Sequence, residues 1–204
     1  MHDWHEVPDL LRGCAHDDMI DCDAIRPTLV AFAGERPLLL TRMRPFGRRE
    51  ADEAVTEVLD VVAALGADRL AMSFGGIARW PDDLTGIDDR ITDDDVREVL
   101  TIIIVDDAAI DAGPHCTLTA VKRRGGEVIW GASVTTQAVC GWLTARLVAC
   151  VARLPQRESD AEVSAKVIRC MARGHELFLP GGAGPPGVRS RAERDDEAVP
   201  TTPH

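Results

Sequence analysis

The chain is 204 residues long, 45% apolar and acidic, with a formal net charge of −11. That length suits one domain with some tail, and the apolar fraction is sufficient for a core. Phosphate backbones and anionic membrane surfaces both select basic patches, so neither nucleic acid nor a membrane is expected as a partner.

Aromatics make up 4% of the chain and Tyr is absent, so the core must be built from Val, Leu, Ile and Ala. Of 23 basic residues only Lys122 and Lys166 are Lys, which with the abundant Ala and Asp points to a GC-rich bacterial genome. The negative charge is local. Residues 1–23 hold seven acids against one Arg, and residues 81–111 hold eleven against two. The first residues, MHDWHEVPDL, lack the basic and apolar regions of a secretory signal. No apolar run approaches a membrane span of about 18 residues. The nearest run, 138–152, is broken by Arg146. A soluble cytoplasmic protein is expected, with its six scattered Cys reduced.

Residues 4–13 could form a short amphipathic turn or helix, and 14–27 read as acidic and irregular; 1–27 is treated as an acidic N-terminal segment. Thr28–Ala33 and Pro37–Met43 then read as a hairpin turning at Gly34-Glu35. Residues 49–65 show the strongest helical period, through Val55, Val58, Leu59, Val62 and Leu65. Acids fill the first turns, and Gly66 marks the stop. A strand is expected from Arg69, with Gly75-Gly76 marking a bulge or bend, and another over 100–107. Cys116–Lys122 and Glu127–Ala132 flank an Arg-Gly-Gly turn as a second hairpin.

A long helix is expected over 135–154, capped by Thr135 or Thr136 and covered on most sides. A last helix over 159–174 carries a Ser159/Glu162 capping box and stops at Gly174. Residues 179–204, rich in Gly and Pro and then charged, read as a disordered tail. The order β-β-α-β-β-β-β-α-α predicts a single α+β domain over 28–178, with a mostly antiparallel sheet of about five to six strands and helices packed on it. In element order, though not in any motif, this resembles small longin-like or roadblock-like domains, and the resemblance implies a scaffold or adaptor.

Candidate chemistry is sparse. "WPDDLTGIDDRITDDD" (80–95) has seven Asp, but no window has the alternating acids, mid-loop Gly and late Glu of a calcium loop. It reads as a solvated loop in which Thr92 caps a helical turn, with Asp95 as the reciprocal acid. Asp106 and Asp107 end an apolar strand, with Asp111 and His115 close behind. Carboxylates and an imidazole at a strand end are the parts of a metal-dependent hydrolase, so Asp106, Asp107 and His115 are the catalytic candidates. His2, His5, Cys14, His16 and Cys22 are zinc-ligand types at a spacing that fits no structural zinc pattern. His115 and Cys116 are neighbours on a strand and so face opposite ways, which weakens a Cys–His pair; Cys140 and Cys150 read as inert helix residues. Arg42 and Arg44 would share a strand face and, with Arg48 and Arg49, could clamp an anion or meet the chain's own acids.

No dinucleotide, phosphate-loop or nucleophile-elbow motif occurs. The expectation is therefore a non-enzymatic partner-binding or adaptor domain without cofactor or metal, engaging a protein partner or a second copy through helix 135–154 or the sheet edge. The alternative is the Asp106/Asp107/His115 hydrolase.

Overall fold

The computed structural model describes residues 3–47, 49–79, 96–106, 113–124, 127–136, 141–152 and 157–180. Its strands are β1 (Thr28–Ala33), β2 (Arg36–Arg42), β3 (Arg69–Arg79), β4 (Val96–Val105), β5 (His115–Arg124), β6 (Glu127–Thr136) and β7 (Glu176–Phe178). Its helices are α1 (Val7–Asp21, led by a 3-10 turn at Trp4–Glu6), α2 (Ala51–Ala64), α3 (Gly141–Ala152) and α4 (Asp160–Ala172). One antiparallel sheet runs β6-β5-β4-β3-β1-β2-β7. The α+β class is as expected, and the sheet has seven strands rather than five or six. The addition is β7, three residues that pair with the end of β2. Among the described residues no helix is long and apolar enough to cross a membrane.

The central strands explain the layers. Alternate side chains of a strand face opposite ways. Leu29, Ala31, Leu70, Met72, Ile103 and Val105 join a core on one side, with α2, α3 and α4. Val30, Phe32, Ala71, Leu100 and Ile102 join a second core on the other. Strands apolar on both faces need two covers, and α1 is the second.

That helix is the main departure from expectation, since 14–27 read as irregular. Trp4, Val7, Leu11, Ala15 and Met19 recur every three or four residues and are all buried, which makes one narrow stripe. Seven acids between residues 3 and 23, together with Gly13, obscure it. Trp4 meets Phe32 edge-on at 5.2 Å between centroids, and the Arg69 guanidinium lies 6.0 Å from the Trp4 ring. Asp23, at φ 57, turns the chain out of the helix and back toward β1, a left-handed position that Asp tolerates better than most residues.

Other elements follow the sequence closely. Helix α2 buries Val55, Val58, Leu59 and Val62 as its period requires. In α4 the capping box forms. The Glu162 N–H donates to Ser159 Oγ at 3.4 Å, and the Ser159 N–H donates to Glu162 Oε2 at 3.0 Å. These Ser159 bonds hold the Glu162 carboxyl below its ordinary value. Gly66 and Gly174 follow α2 and α4 at φ +73 and +94, the left-handed stops that favour glycine.

Two expectations change. Thr135 and Thr136 end β6, paired with Thr117 and Cys116, so the helix expected from 135 is the shorter α3. Its Leu143, Leu147, Cys150 and Val151 are buried, while Trp142, Ala145, Arg146, Ala149 and Ala152 are exposed, so it is half covered rather than enclosed. Of the stretch 93–100, left open between helix and an early strand start, Val96 onward is strand, in register with β3 from Arg79↔Val96. Gly75 and Gly76 are not a bulge; they pair regularly with Leu100 and Val99. The whole 80–95 loop, with the cap read at Thr92, and the tail from 181 lie outside the described residues.

Leu11 has no exposed surface and carries the middle of the α1 stripe. Leu11→Ala is expected to lower stability by about 3 kcal/mol, read as a fall in the urea midpoint with the far-UV spectrum retained. A loss below about 1 kcal/mol would mean that α1 is not docked on the sheet in solution.

Candidate functional site

Strand β1 begins at Thr28, opposite Ser73 of β3. Strand β3 continues to Arg79, so beyond Ser73 its β1-side edge has no strand neighbour among the described residues. The segment Cys22–Pro27, returning from α1, runs along this notch. It comes so close that a Cβ on Gly75 would sit 3.0 Å from Ile25 Cβ. The Gly pair therefore serves close approach by another segment, a role glycine fills where a side chain would collide.

The notch is the floor of a cavity of about 680 Å³. Ile25 and Pro27 form one wall and Met72, Phe74 and Gly75 the floor. Pro45, Phe46, Val55 and the first turn of α3, Trp142 and Leu143, close the other side. Trp142 is 46% exposed at the rim. The size is in the range of ligand sites, roughly 300–1,000 Å³. Its reactive side chains are the exposed Cys22 and Arg26.

Arg26 is already engaged. Its Nε lies 3.3 Å from Asp18 Oδ1 and its Nη1 3.0 Å from Glu176. Its backbone N–H donates to Asp18 Oδ2 at 3.1 Å. Burial opposes the Arg26 charge, but the bonds and charges of Glu176 and Asp18 more than offset it and raise its pKa. Arg42 Nη1 approaches the same Asp18 oxygen at 3.3 Å. Asp18 is thus a buried carboxylate on α1 held by two guanidiniums from the sheet side, which fastens the helix and the notch segment together.

A second buried pair sits on the opposite face. The Arg44 N–H donates to His175 Nδ1 at 3.3 Å, so Nε2 carries the proton and donates to Glu57 Oε2 at 2.8 Å. Arg173 Nη1 lies 2.9 Å from both Glu53 and Glu57. Both ring nitrogens of the fully buried His175 are in use, so it ties β2, α2 and the α4–β7 turn together and has no lone pair left for a substrate proton. Strand β2 ends at Arg42, and the alternation that would have put Arg42 and Arg44 on one face ends with it. Arg42 goes to α1 and Arg44 to Glu50 of the α2 side. Arg49 is exposed, and Arg48 lies outside the described residues.

The catalytic candidates are elsewhere. Asp106 follows β4 and is half-buried; His115 opens β5 opposite Ile104 and is exposed. The hairpin brings both to the same end of the sheet, and neither lines the cleft. Asp107 and Asp111 lie outside the described residues, as do His2 and Cys140. Among the described residues no group of three or more His, Cys, Asp or Glu could hold a metal ion. His16 instead accepts a hydrogen bond from Trp130 Nε1 at 3.3 Å. Burial pushes the Cys14 thiol up; burial, then the charges of Glu57 and Asp60, pushes Cys170 up to about 12.

Trp142, Phe46, Phe74 and Ile25 were not singled out by sequence reasoning, which pointed only to the helix containing Trp142. No protein-family model matches the chain, and no curated protein or solved structure is significantly similar to it. Function is therefore read from the residues.

Asp18→Ala leaves two guanidiniums without their buried partner and is expected to cost about 3–5 kcal/mol. Removing Asp9, exposed and paired with Arg12 three residues on, should cost less than about 1 kcal/mol; equal effects in denaturant titrations would dismiss the buried lock. The reactive species of a thiol is its thiolate. Alkylation of the folded protein at pH 8 should therefore label the exposed Cys22 at least about a hundredfold faster than Cys170, with the difference abolished in denaturant. Comparable rates in the folded state would contradict the burial of Cys170.

Proposed function

We propose that the protein is a non-enzymatic cytoplasmic binding domain that receives an apolar anchor of a protein partner in the cleft beside Trp142. The observation that carries this reading is the cleft's composition: three aromatic rings, a Met and aliphatic side chains around about 680 Å³, with the one guanidinium among its described residues already ion-paired. A site that promotes acid–base or nucleophilic chemistry brings titratable groups together; this one brings together side chains suited to burying another apolar group. Half-exposed Trp at the mouth of such a pocket is the kind of residue on which interface energy concentrates. The acidic chain argues for a protein partner over nucleic acid.

Random peptides displayed and selected against the wild-type protein, then counter-selected against Ala51→Trp, which fills the cleft, should be enriched in a large aromatic or aliphatic anchor. Trp142→Ala should weaken the selected peptides by about tenfold or more, the scale of losing an interface hot spot. Enriched peptides that bind Ala51→Trp and Trp142→Ala as well as wild type would place binding elsewhere and overturn the reading.

The hydrolase reading predicts a different response. Asp106, Asp107 and His115 would then hold a divalent ion, and Mn²⁺ or Zn²⁺ would raise Tm by mass action. A rise of that kind, lost in Asp106→Asn with Asp107→Asn, would replace the binding proposal with an enzymatic one.

A further inference from the structure

The two edges of the sheet are unlike. Edge β7 has three residues. Edge β6 has ten, EVIWGASVTT, with one charge at its end, no Pro and no Lys. Soluble proteins shield edge strands with charges, Pro or brevity, because an open edge templates pairing. Strand β6 is long and has no Pro or Lys, only Glu127 at one end and a bulge against β5, and among the described residues no strand pairs with its outer edge.

It is also apolar on both faces, as an interior strand is. Val128 and Trp130 extend the α1-side core, while Ala132 and Val134 extend the cluster of Val99, Leu118 and Ala120 on the other face. The switch between them is a bulge. Thr119 pairs with Ser133 and Val121 with Trp130, so one β5 residue spans two of β6, Gly131 and Ala132. Before the bulge the α1 face takes the even residues of β6, and after it the odd ones.

We infer that β6 pairs antiparallel with β6 of a second copy, about a two-fold axis between Gly131 and Ala132. Directly opposed residues in an antiparallel pair share a face. In an unbulged strand, self-pairing must then match residues of like parity. Here the bulge reverses parity at the centre, and the register that uses all ten residues also keeps the faces together. Val128 meets Thr135, Trp130 meets Ser133, and both pairs lie on the α1 face. Ile129 meets Val134 on the other face. Glu127, the strand's only charge, meets Thr136 rather than its own copy, so no like charges oppose one another. Ile129, 40% exposed in one chain, gains a β-branched neighbour. Self-complementarity over the whole strand is what a second copy offers and an arbitrary peptide does not. The two seven-stranded sheets become one of fourteen.

Sedimentation equilibrium of the full chain should give about twice the 22.1 kDa chain mass. Ile129→Lys alone and Val134→Glu alone should each sediment as monomers. Mixed one to one they should restore the dimer, because Lys at 129 then faces Glu at 134 of the other copy while the second Ile129–Val134 pair is intact. Restoration also shows that both variants are folded. A monomeric wild type, a dimer that survives both substitutions, or a mixture that stays monomeric would each overturn the proposal. Peptide binding in the cleft is measured separately and is not expected to change.

Discussion

Everything in this structure depends on a sheet whose central strands are apolar on both sides. Strands β1, β3 and β4 carry Leu29, Met72 and Ile103 toward one face and Val30, Ala71 and Ile102 toward the other. Neither face can stay wet, since each buried aliphatic side chain is worth about 1.5–3 kcal/mol. The C-terminal half of the chain supplies two helices to one face, and α2 joins them. The other face is left to the N-terminal segment. An acidic stretch that would be a poor helix in isolation is therefore held as one by four buried apolar side chains along its length, Val7, Leu11, Ala15 and Met19.

Ion pairs fix how these covers sit. Acids on the helices meet Arg residues from the sheet and turns on both sides: Asp18 with Arg26 and Arg42, Glu57 with Arg44 and Arg173. Taking charges out of water is costly, so such pairs contribute more to orientation than to net stability. They also account for the Arg side chains that would otherwise suggest an anion site. With Arg26 held between Asp18 and Glu176, the cleft beside it keeps an apolar character.

The arrangement of strands creates both the cleft and the open edge. Strand β3 runs past the start of β1, and the return from α1 fills that gap only partly, which leaves the cleft. Strand β6 is the last strand of the sheet, and no described strand pairs with its outer side, which leaves an edge. Neither is a motif; the cleft follows from unequal strand lengths and the edge from where the sheet ends.

The sequence by itself determined the elements whose cause is local. The period of Val55, Val58, Leu59 and Val62 is enough to define α2 and its buried face. The Ser159/Glu162 box and the glycines at 66 and 174 set helix ends through backbone geometry that needs no distant partner. The order of strands in hairpins, and hence an antiparallel sheet, followed from turn residues such as Gly34. Only the tertiary structure decided what depends on residues far apart in the chain. The α1 helix exists because a sheet face needs it, and its stripe is too diluted by acids to announce itself. Thr135 and Thr136 satisfy a cap and a strand equally well by local chemistry; pairing with Thr117 and Cys116 settles them as strand. Gly75 reads as a bulge until Ile25, fifty residues earlier, is seen against it. The cleft was hidden for the same reason, because its walls come from five separate segments and no one of them carries the pattern.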